Sequence, residues 1–383
     1  MNFELSEEHL DVRDIARNFT EKKLKPRAEE FDAESKMDMA LLKEMGDLGL
    51  MGITLPEEYG GTGLDMMSYV IVCEELAAGC LSHGMVVALH NSLFGYPLVA
   101  YGTEEQKQKY FPGVCAGEQV GAFALTEPGA GSDASNMATT YQKTDDGYIL
   151  NGTKIFITMG ALADFVIVFA TSKRGSGPKG MTAFMVEKGS EGFEIGTIEK
   201  KMGLKASPTT ELIFNDCFVP KENLIGKEGK GFRIAMSTLD SGRVSCGAMS
   251  LGLSQAAFDI AVQYSKDREQ FGKPISSFQA IQFHLAEMSV MIENARNLTY
   301  KSAWLKDMGK PFALEAAQAK LYSSEISTQV THKAIQVLGG YGYIRDYQVE
   351  RMYRDARVTE IFEGTTEIQK LVIAKHLLKA KKK

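Results

Sequence analysis

Hydrophobic positions along the chain change their period twice. Near the N-terminus Val12, Ile15, Ala16 and Phe19 recur at i, i+3, i+4 and i+7, the spacing that puts apolar side chains on one face of an α-helix. Ser6, followed by Glu7 and Glu8, supplies an N-cap and two acids suited to the positive end of the helix dipole. Pro26, lacking an amide hydrogen, ends or bends this helix. The glycine-rich stretch Glu57-Glu58-Tyr59-Gly60-Gly61-Thr62-Gly63 connects it to a second helical region predicted from Met66 to Ala78. From Glu118 to Gly226 the texture becomes short runs of β-branched and aromatic residues between turn signals. Tyr148-Ile149-Leu150 lies between Asp145-Asp146-Gly147 and Asn151-Gly152, followed by Lys154-Ile155-Phe156-Ile157-Thr158, Phe165 to Phe169 and Met181 to Val186. After Gly231 the helical period returns. Leu285, Met288, Ile292 and Ala295 share a face, as do Val330, Ala334, Val337 and Leu338, ahead of Gly339-Gly340, where a left-handed cap is expected.

The order helical, β, helical predicts an α+β multidomain chain: an N-terminal helical domain (1–117), a central β-domain (118–226) and a C-terminal bundle of four or five antiparallel helices (227–383). Long helices do not alternate with the strands, which disfavours a βαβ Rossmann sheet. A chain of 383 residues rules out a small stapled module, and its net charge of -6 argues against broad binding to nucleic acid. No apolar run of about 18 residues would cross a bilayer, so no membrane partner is expected. Five cysteines at scattered spacings, without a C-x-x-C, are expected to be reduced and buried, with no metal site. The stretch Met1 to Glu8 resembles neither a secretory signal nor a transit peptide, and a cytoplasmic protein is the expectation. Lys379 to Lys383 read as a solvated tail, and most of the 19 methionines as core filling.

Standard nucleotide motifs are missing: Gly226 to Gly231 lacks the P-loop order, and Gly339-Gly340-Tyr341-Gly342 does not follow a strand as a dinucleotide fingerprint must. In Phe123-Ala124-Leu125-Thr126-Glu127-Pro128-Gly129-Ala130-Gly131-Ser132-Asp133 an apolar strand runs into a loop of glycines and hydroxyls. That pattern suits a strand-to-turn boundary or the seat of a polar, planar cofactor. Ile361 to Gln369 places Glu363 between Phe362 and Gly364 just before a helix. Thr366 with Gln369 fits a capping box, and Ile368, Leu371 and Val372 make a buried stripe. Glu363 is either a helix-entry acid or a desolvated general base. Arg268, in Asp267 to Pro274, and Arg243, in Leu239-Asp240-Ser241-Gly242-Arg243, could each fork a phosphate or make a surface ion pair.

Taken together, these segments resemble the acyl-CoA dehydrogenase family along essentially the whole chain, with the short-chain, butyryl-type members most similar. The most specific stretches are Thr126 to Asp133, Arg268-Glu269-Gln270-Phe271-Gly272, Gln336-Val337-Leu338-Gly339-Gly340-Tyr341-Gly342 and Glu363-Gly364-Thr365. The resemblance implies a homotetramer with noncovalent FAD at a subunit boundary, an acyl-CoA substrate, and an electron-transfer flavoprotein as acceptor. By position, Phe123, Leu125, Thr126, Gly131, Ser132, Phe156, Ile157 and Thr158 would hold the flavin ring. Arg268, Phe271, Gln279, Gln336, Val337, Gly339 and Gly340 would belong to the cofactor site contributed by a neighbouring subunit, with Thr365 and Glu367 completing it. Ser132, Asp240, Arg243 and Gly364 would contact the acyl-CoA. Glu363 would remove the α-proton of the thioester while a β-hydride leaves for the flavin, giving a trans-2-enoyl-CoA.

Two departures qualify the resemblance. Some family members place the base just before the arginine of the Asp240-to-Arg243 segment, and here that position is Gly242, which cannot titrate. Phe362 stands where the short-chain pattern usually has tyrosine, which keeps branched-chain or cyclic acyl-CoA open as substrates. Leu89 to Tyr96 carries no arginine, which argues against a dicarboxylic acyl group. Acyl-CoA oxidases are usually much longer, and a non-catalytic homologue would be expected to lack the base that Glu363 supplies.

Overall fold

The structure, a computed structural model, describes residues 4–378, so the lysine-rich stretch at 379–383 lies outside the described residues. The N-terminal part contains α1 (Glu7–Phe19), α2 (Ala28–Glu34), α3 (Met39–Asp47), α4 (Met66–Gly79), α5 (Leu81–Ala88), α6 (Tyr96–Tyr101) and α7 (Glu104–Cys115). The Ser6 side chain accepts the His9 N–H and caps α1 as its sequence predicts. Ala16 and Phe19 are buried, whereas Ile15 is exposed, because α1 leans on α4 along a strip too narrow to cover all four apolar positions. Pro26 bends the chain through one turn of 3-10 helix into α2.

Eight strands form one sheet: β1 (Gly121–Ala124), β2 (Thr140–Lys143), β3 (Gly147–Thr158), β4 (Phe165–Thr171), β5 (Met181–Glu187), β6 (Phe193–Ile198), β7 (Thr209–Pro220) and β8 (Leu224–Ile225). The order is β6-β7-β3-β2-β4-β5-β8, with β1 added parallel to β4. Asn151-Gly152 is not the turn its sequence suggests. It is an irregularity inside the single long strand β3, where the register against β7 shifts between Leu150 and Gly152. Glycine is needed there because a Cβ would come within 2.6 Å of the Thr139 Cα.

Helix α8 (Gly231–Asp267) leads into the short pair β9 (Glu269–Gln270) and β10 (Lys273–Pro274), then α9 (Gln279–Asp307), α10 (Ala313–Leu338), α11 (Val349–Thr359) and α12 (Thr366–Leu378). Every residue of α8 from Ser241 to Ser254 is buried, since α4, α9 and α10 all pack on it. Such a helix needs slim side chains, and its serine hydroxyls satisfy themselves on its own carbonyls: Ser250 donates to Cys246 and Ser254 to Ser250. The predicted faces of α9 and α10 are buried as expected, with Leu285 half-covered. Gly339 does end α10 at positive φ, but with ψ -134 it is not the expected left-handed cap. Arg354 of α11 ties all three parts together, donating to Asp32 of α2 and to the Met202 carbonyl beyond β6.

Candidate active site

Glu363 lies on the turn between α11 and α12, with φ +52, and Gly364 follows with φ +92. Three hydrogen bonds hold this turn. The Gly364 carbonyl accepts from Lys320 Nζ and from Gln369 Nε2, both at 2.8 Å, and Gln369 also donates to the Glu363 carbonyl at 3.2 Å. Gln369 therefore braces the turn instead of closing a box with Thr366, and Thr365 is the residue whose hydroxyl accepts the Ile368 N–H. The expected buried stripe on α12 is also absent from this chain by itself: Leu371 is 65% exposed.

The turn aims the Glu363 carboxylate at α8. A Cβ on Gly242 would fall 2.1 Å from Glu363 Oε2, so the glycine makes the space that the acid fills. The residue as a whole is half-buried, yet both carboxylate oxygens are buried without a hydrogen-bond partner. Burial pushes its pKa up to about 7, and Lys320 and Arg243 pull against that rise. Arg243, almost fully buried, reaches Asp240 at 2.5 Å while its Nε stays unpaired. Asp240 lies above the usual carboxylate range because burial outweighs the attraction of Arg243. Cys246 of α8 and Tyr69 and Cys73 of α4 complete the surroundings, and the Tyr69 hydroxyl donates to the Ala88 carbonyl.

In the β-domain a second cluster forms around the loop after β1. The Ile155 N–H of β3 donates to the Thr126 carbonyl, which joins loop to strand. Beneath it a fully buried Lys154 donates to Glu127 at 2.7 Å and to the Leu125 carbonyl at 3.1 Å. Glu127 also accepts the Ala138 and Thr139 N–H groups. Burial would raise this carboxyl, but the ammonium and its other donors overcome that and hold it below the usual range. The β3 register shifts again between Lys154 and Ile157, and Phe156, at φ +57, is 58% exposed while Ile157 is buried. Gly131 and Ser132 are exposed on the loop, and a Cβ at Gly131 would meet nothing within 4 Å. Open backbone, hydroxyls and an aromatic face beside half-buried Phe123 and Thr158 fit a planar flavin ring.

The third set stands elsewhere. Arg268 lies over the Tyr341 ring at 5.5 Å, Phe271 is 92% exposed, and Gln279, Gln336, Gly339 and Gly340 are exposed around them; Val337 is buried. Arg268 follows Gly242 by 26 residues of α8, roughly 39 Å at 1.5 Å per residue. One chain thus assembles Asp240, Arg243, Glu363 and Gly364 at one end of its bundle and the arginine–glutamine set at the other. Thr365 is half-buried two residues after Glu363, and Glu367 is exposed in the first turn of α12.

Sequence reasoning missed Lys154 and Lys320 as parts of these clusters and gave Gln369 a capping role in place of the turn-bracing one it has. The only available signal was a lysine inside an otherwise apolar helix, Ala316-Ala317-Gln318-Ala319-Lys320, and another inside a strand. Among the described residues no helix is long and apolar enough to cross a membrane.

Fold and site define a helical–β–helical enzyme with a buried, unpaired carboxylate among its C-terminal helices and, in its β-domain, a loop that suits a planar cofactor. Family models for the acyl-CoA dehydrogenase N-terminal, middle and C-terminal domains match residues 6–118, 122–217 and 229–378. The short-chain specific acyl-CoA dehydrogenase of Clostridium acetobutylicum is 49% identical over 98% of this chain and 99% of its own length. Butyryl-CoA dehydrogenase from Megasphaera elsdenii superposes with a TM-score of 0.96 at 46% identity, covering 99% of this chain and 100% of that one. A chain from structural work on the electron-transferring flavoprotein of Acidaminococcus fermentans, concerned with flavin-based electron bifurcation, gives 0.98 at 49% identity, covering 99% and 100%. The chain belongs to the acyl-CoA dehydrogenase family. It is an FAD-dependent oxidoreductase that dehydrogenates acyl-CoA.

Proposed function

We propose that the chain oxidises a short-chain acyl-CoA to the 2-enoyl-CoA, with Glu363 as the base. The observation that carries this is the carboxylate itself: buried, unpaired, raised to about 7, and facing a glycine that leaves room for it. A base poised near neutrality can take a weakly acidic carbon-bound proton and release it again. The thioester oxygen accepts the Glu363 backbone N–H, which stabilises the enolate-like charge as the proton leaves. Asp240 and Arg243, with Ser132 and Gly364, orient the thioester. Bound FAD supplies the acceptor for the β-hydride. Phe123, Leu125, Thr126, Gly131, Ser132 and Phe156 to Thr158 hold its ring, and Thr365 and Glu367 close the site.

The distance along α8 between Glu363's partners and Arg268 supports a shared cofactor site. Arg268, Phe271, Gln279, Gln336, Val337, Gly339 and Gly340 serve the dinucleotide of a neighbouring subunit in a homotetramer, whose domains span 1–117, 118–226 and 227–383. Electrons pass on to an electron-transfer flavoprotein, a partner suggested by the Acidaminococcus work. The short-chain assignment leans on the printed specificity of the Clostridium and Megasphaera relatives. The test is anaerobic flavin bleaching with thioesters of graded length, branching and ring content. Fastest bleaching by butyryl-CoA supports the reading; preference for a cyclic or branched thioester redirects it to the branched or cyclic acyl group that Phe362 leaves open.

A further inference from the structure

The proposed chemistry gives no part to a buried cation that stands next to Glu363. Lys320 of α10 is fully buried, and its described hydrogen bond is to a neutral carbonyl, that of Gly364. Lysine is rarely taken out of water unless something local compensates. Around it stand Cys246 and Arg243 of α8, Glu363 on the turn, and Glu360 just after α11. The groups that face Glu363 are Lys320 from α10, Arg243 and Cys246 from α8, and Tyr69 and Cys73 from α4. Burial drives the two thiols and the phenol upward, Cys246 to about 12, so all three stay neutral where the enzyme works. The charges acting on the carboxylate are therefore Lys320 and Arg243, and Arg243 is already engaged by Asp240.

We propose that Lys320 is a positioning residue for the base: its hydrogen bond to the Gly364 carbonyl fixes the turn that aims Glu363 at Gly242, and its ammonium charge keeps the carboxylate ionised between turnovers. This rests on Glu363 being the base. The hydrogen bond acts on geometry. Glu363 and Gly364 both hold positive φ, which a non-glycine residue adopts at a cost, and the shared carbonyl bond from α10 resists relaxation of the pair. The charge acts on proton affinity. Once Glu363 has taken the α-proton it is neutral, the attraction to Lys320 is lost, and the ammonium favours return of the carboxylate. Gln369 also donates to the Gly364 carbonyl, so removing the lysine amine leaves the turn one donor and the chain able to fold.

The experiment uses the FAD-loaded enzyme and its Lys320→Met, Lys320→Gln and Lys320→Arg variants, with Glu363→Gln as control. Flavin absorbance and melting temperature establish that each is folded. The rate of anaerobic single-turnover flavin reduction by butyryl-CoA is then followed across pH. The expected result is an acid limb displaced upward by about one pH unit in the Met and Gln variants, which is about a fivefold slower rate near pH 7 that recovers toward pH 9. Lys320→Arg returns the limb to the wild-type position, and Lys320→Gln, which keeps a donor for Gly364, retains more of the high-pH rate than Lys320→Met. An unmoved limb in both neutral variants, whether the rate is unchanged or lowered equally at every pH, overturns the proposal. Reduction at near-parent rate by Glu363→Gln instead overturns the assignment of the base, a failure separate from that of Lys320.

Discussion

Two glutamates with buried carboxylates, one in the β-domain and one among the helices, are treated in opposite ways. Glu127 accepts from an ammonium and two backbone N–H groups and is held ionised, with Lys154 locked against it in full burial. Glu363 is buried with neither oxygen bonded, and its pKa rises to about 7. The first arrangement uses a charge to hold a loop in place. The second withholds partners and leaves the carboxyl titrating near neutrality, as the proposed proton transfer needs. Burial is common to both; the number of donors within reach separates a brace from a base.

Substitution should break this contrast most strongly at Glu363. Glu363→Gln keeps the shape of the side chain and removes the proton acceptor, so single-turnover flavin reduction falls by about 10²- to 10⁴-fold while a nonreactive acyl-CoA analogue still binds. The matching change on the other side, Lys154→Met, leaves the buried Glu127 with its two backbone donors but no counter-charge. Its expected effect is loss of about 3–5 kcal/mol in denaturant unfolding together with weakened FAD retention, and Lys154→Met with Glu127→Leu should recover part of that stability. Gly242→Ala places a methyl group where Glu363 Oε2 lies and displaces the base, with a rate loss on the order of 10² measured in the same reduction assay.

The smallest effect sharpens the comparison through pH. Because the folded-state pKa of Glu363 is raised, the folded chain holds a proton that the unfolded chain has released between the ordinary glutamate value and about 7. The stability this contributes is complete below the unfolded pKa and is lost as pH rises through about 7. Glu363→Gln does not titrate, so it should melt increasingly above the parent as pH goes from 5 to 8, by on the order of 1–3 kcal/mol. A constant gap across that range would mean that the carboxyl is not desolvated.

How far the site was legible depended on how local its signals were. Glu363, Gly364 and Thr365 are adjacent in sequence, and an acid set between an aromatic and a glycine before a helix could be singled out there. Lys320 acts on a carbonyl 44 residues away and Lys154 on a carboxylate 27 residues away, separations at which no local pattern pairs them. Asn151-Gly152 carried a turn signal that the flanking ladder with β7 overrode, leaving only an irregularity in β3. Ile15 and Leu371 kept the helical period of a buried face, yet periodicity says only that a face is apolar and not how wide a neighbour will cover it.

The sequence by itself determined the order of helical, β and helical parts, the Ser6 cap and most of the buried faces, and it singled out Glu363 as a candidate proton acceptor, because each depends on side chains within a few positions of one another. Only the tertiary structure decided that Glu363 would stand against Gly242 rather than in solvent, that its oxygens would be denied partners while Glu127 received three, and that Arg268 would end at the far end of α8 from the base. The reason is physical: composition and period specify which groups a chain carries and which way an element faces, whereas desolvation and pairing depend on what packing brings within a few ångströms.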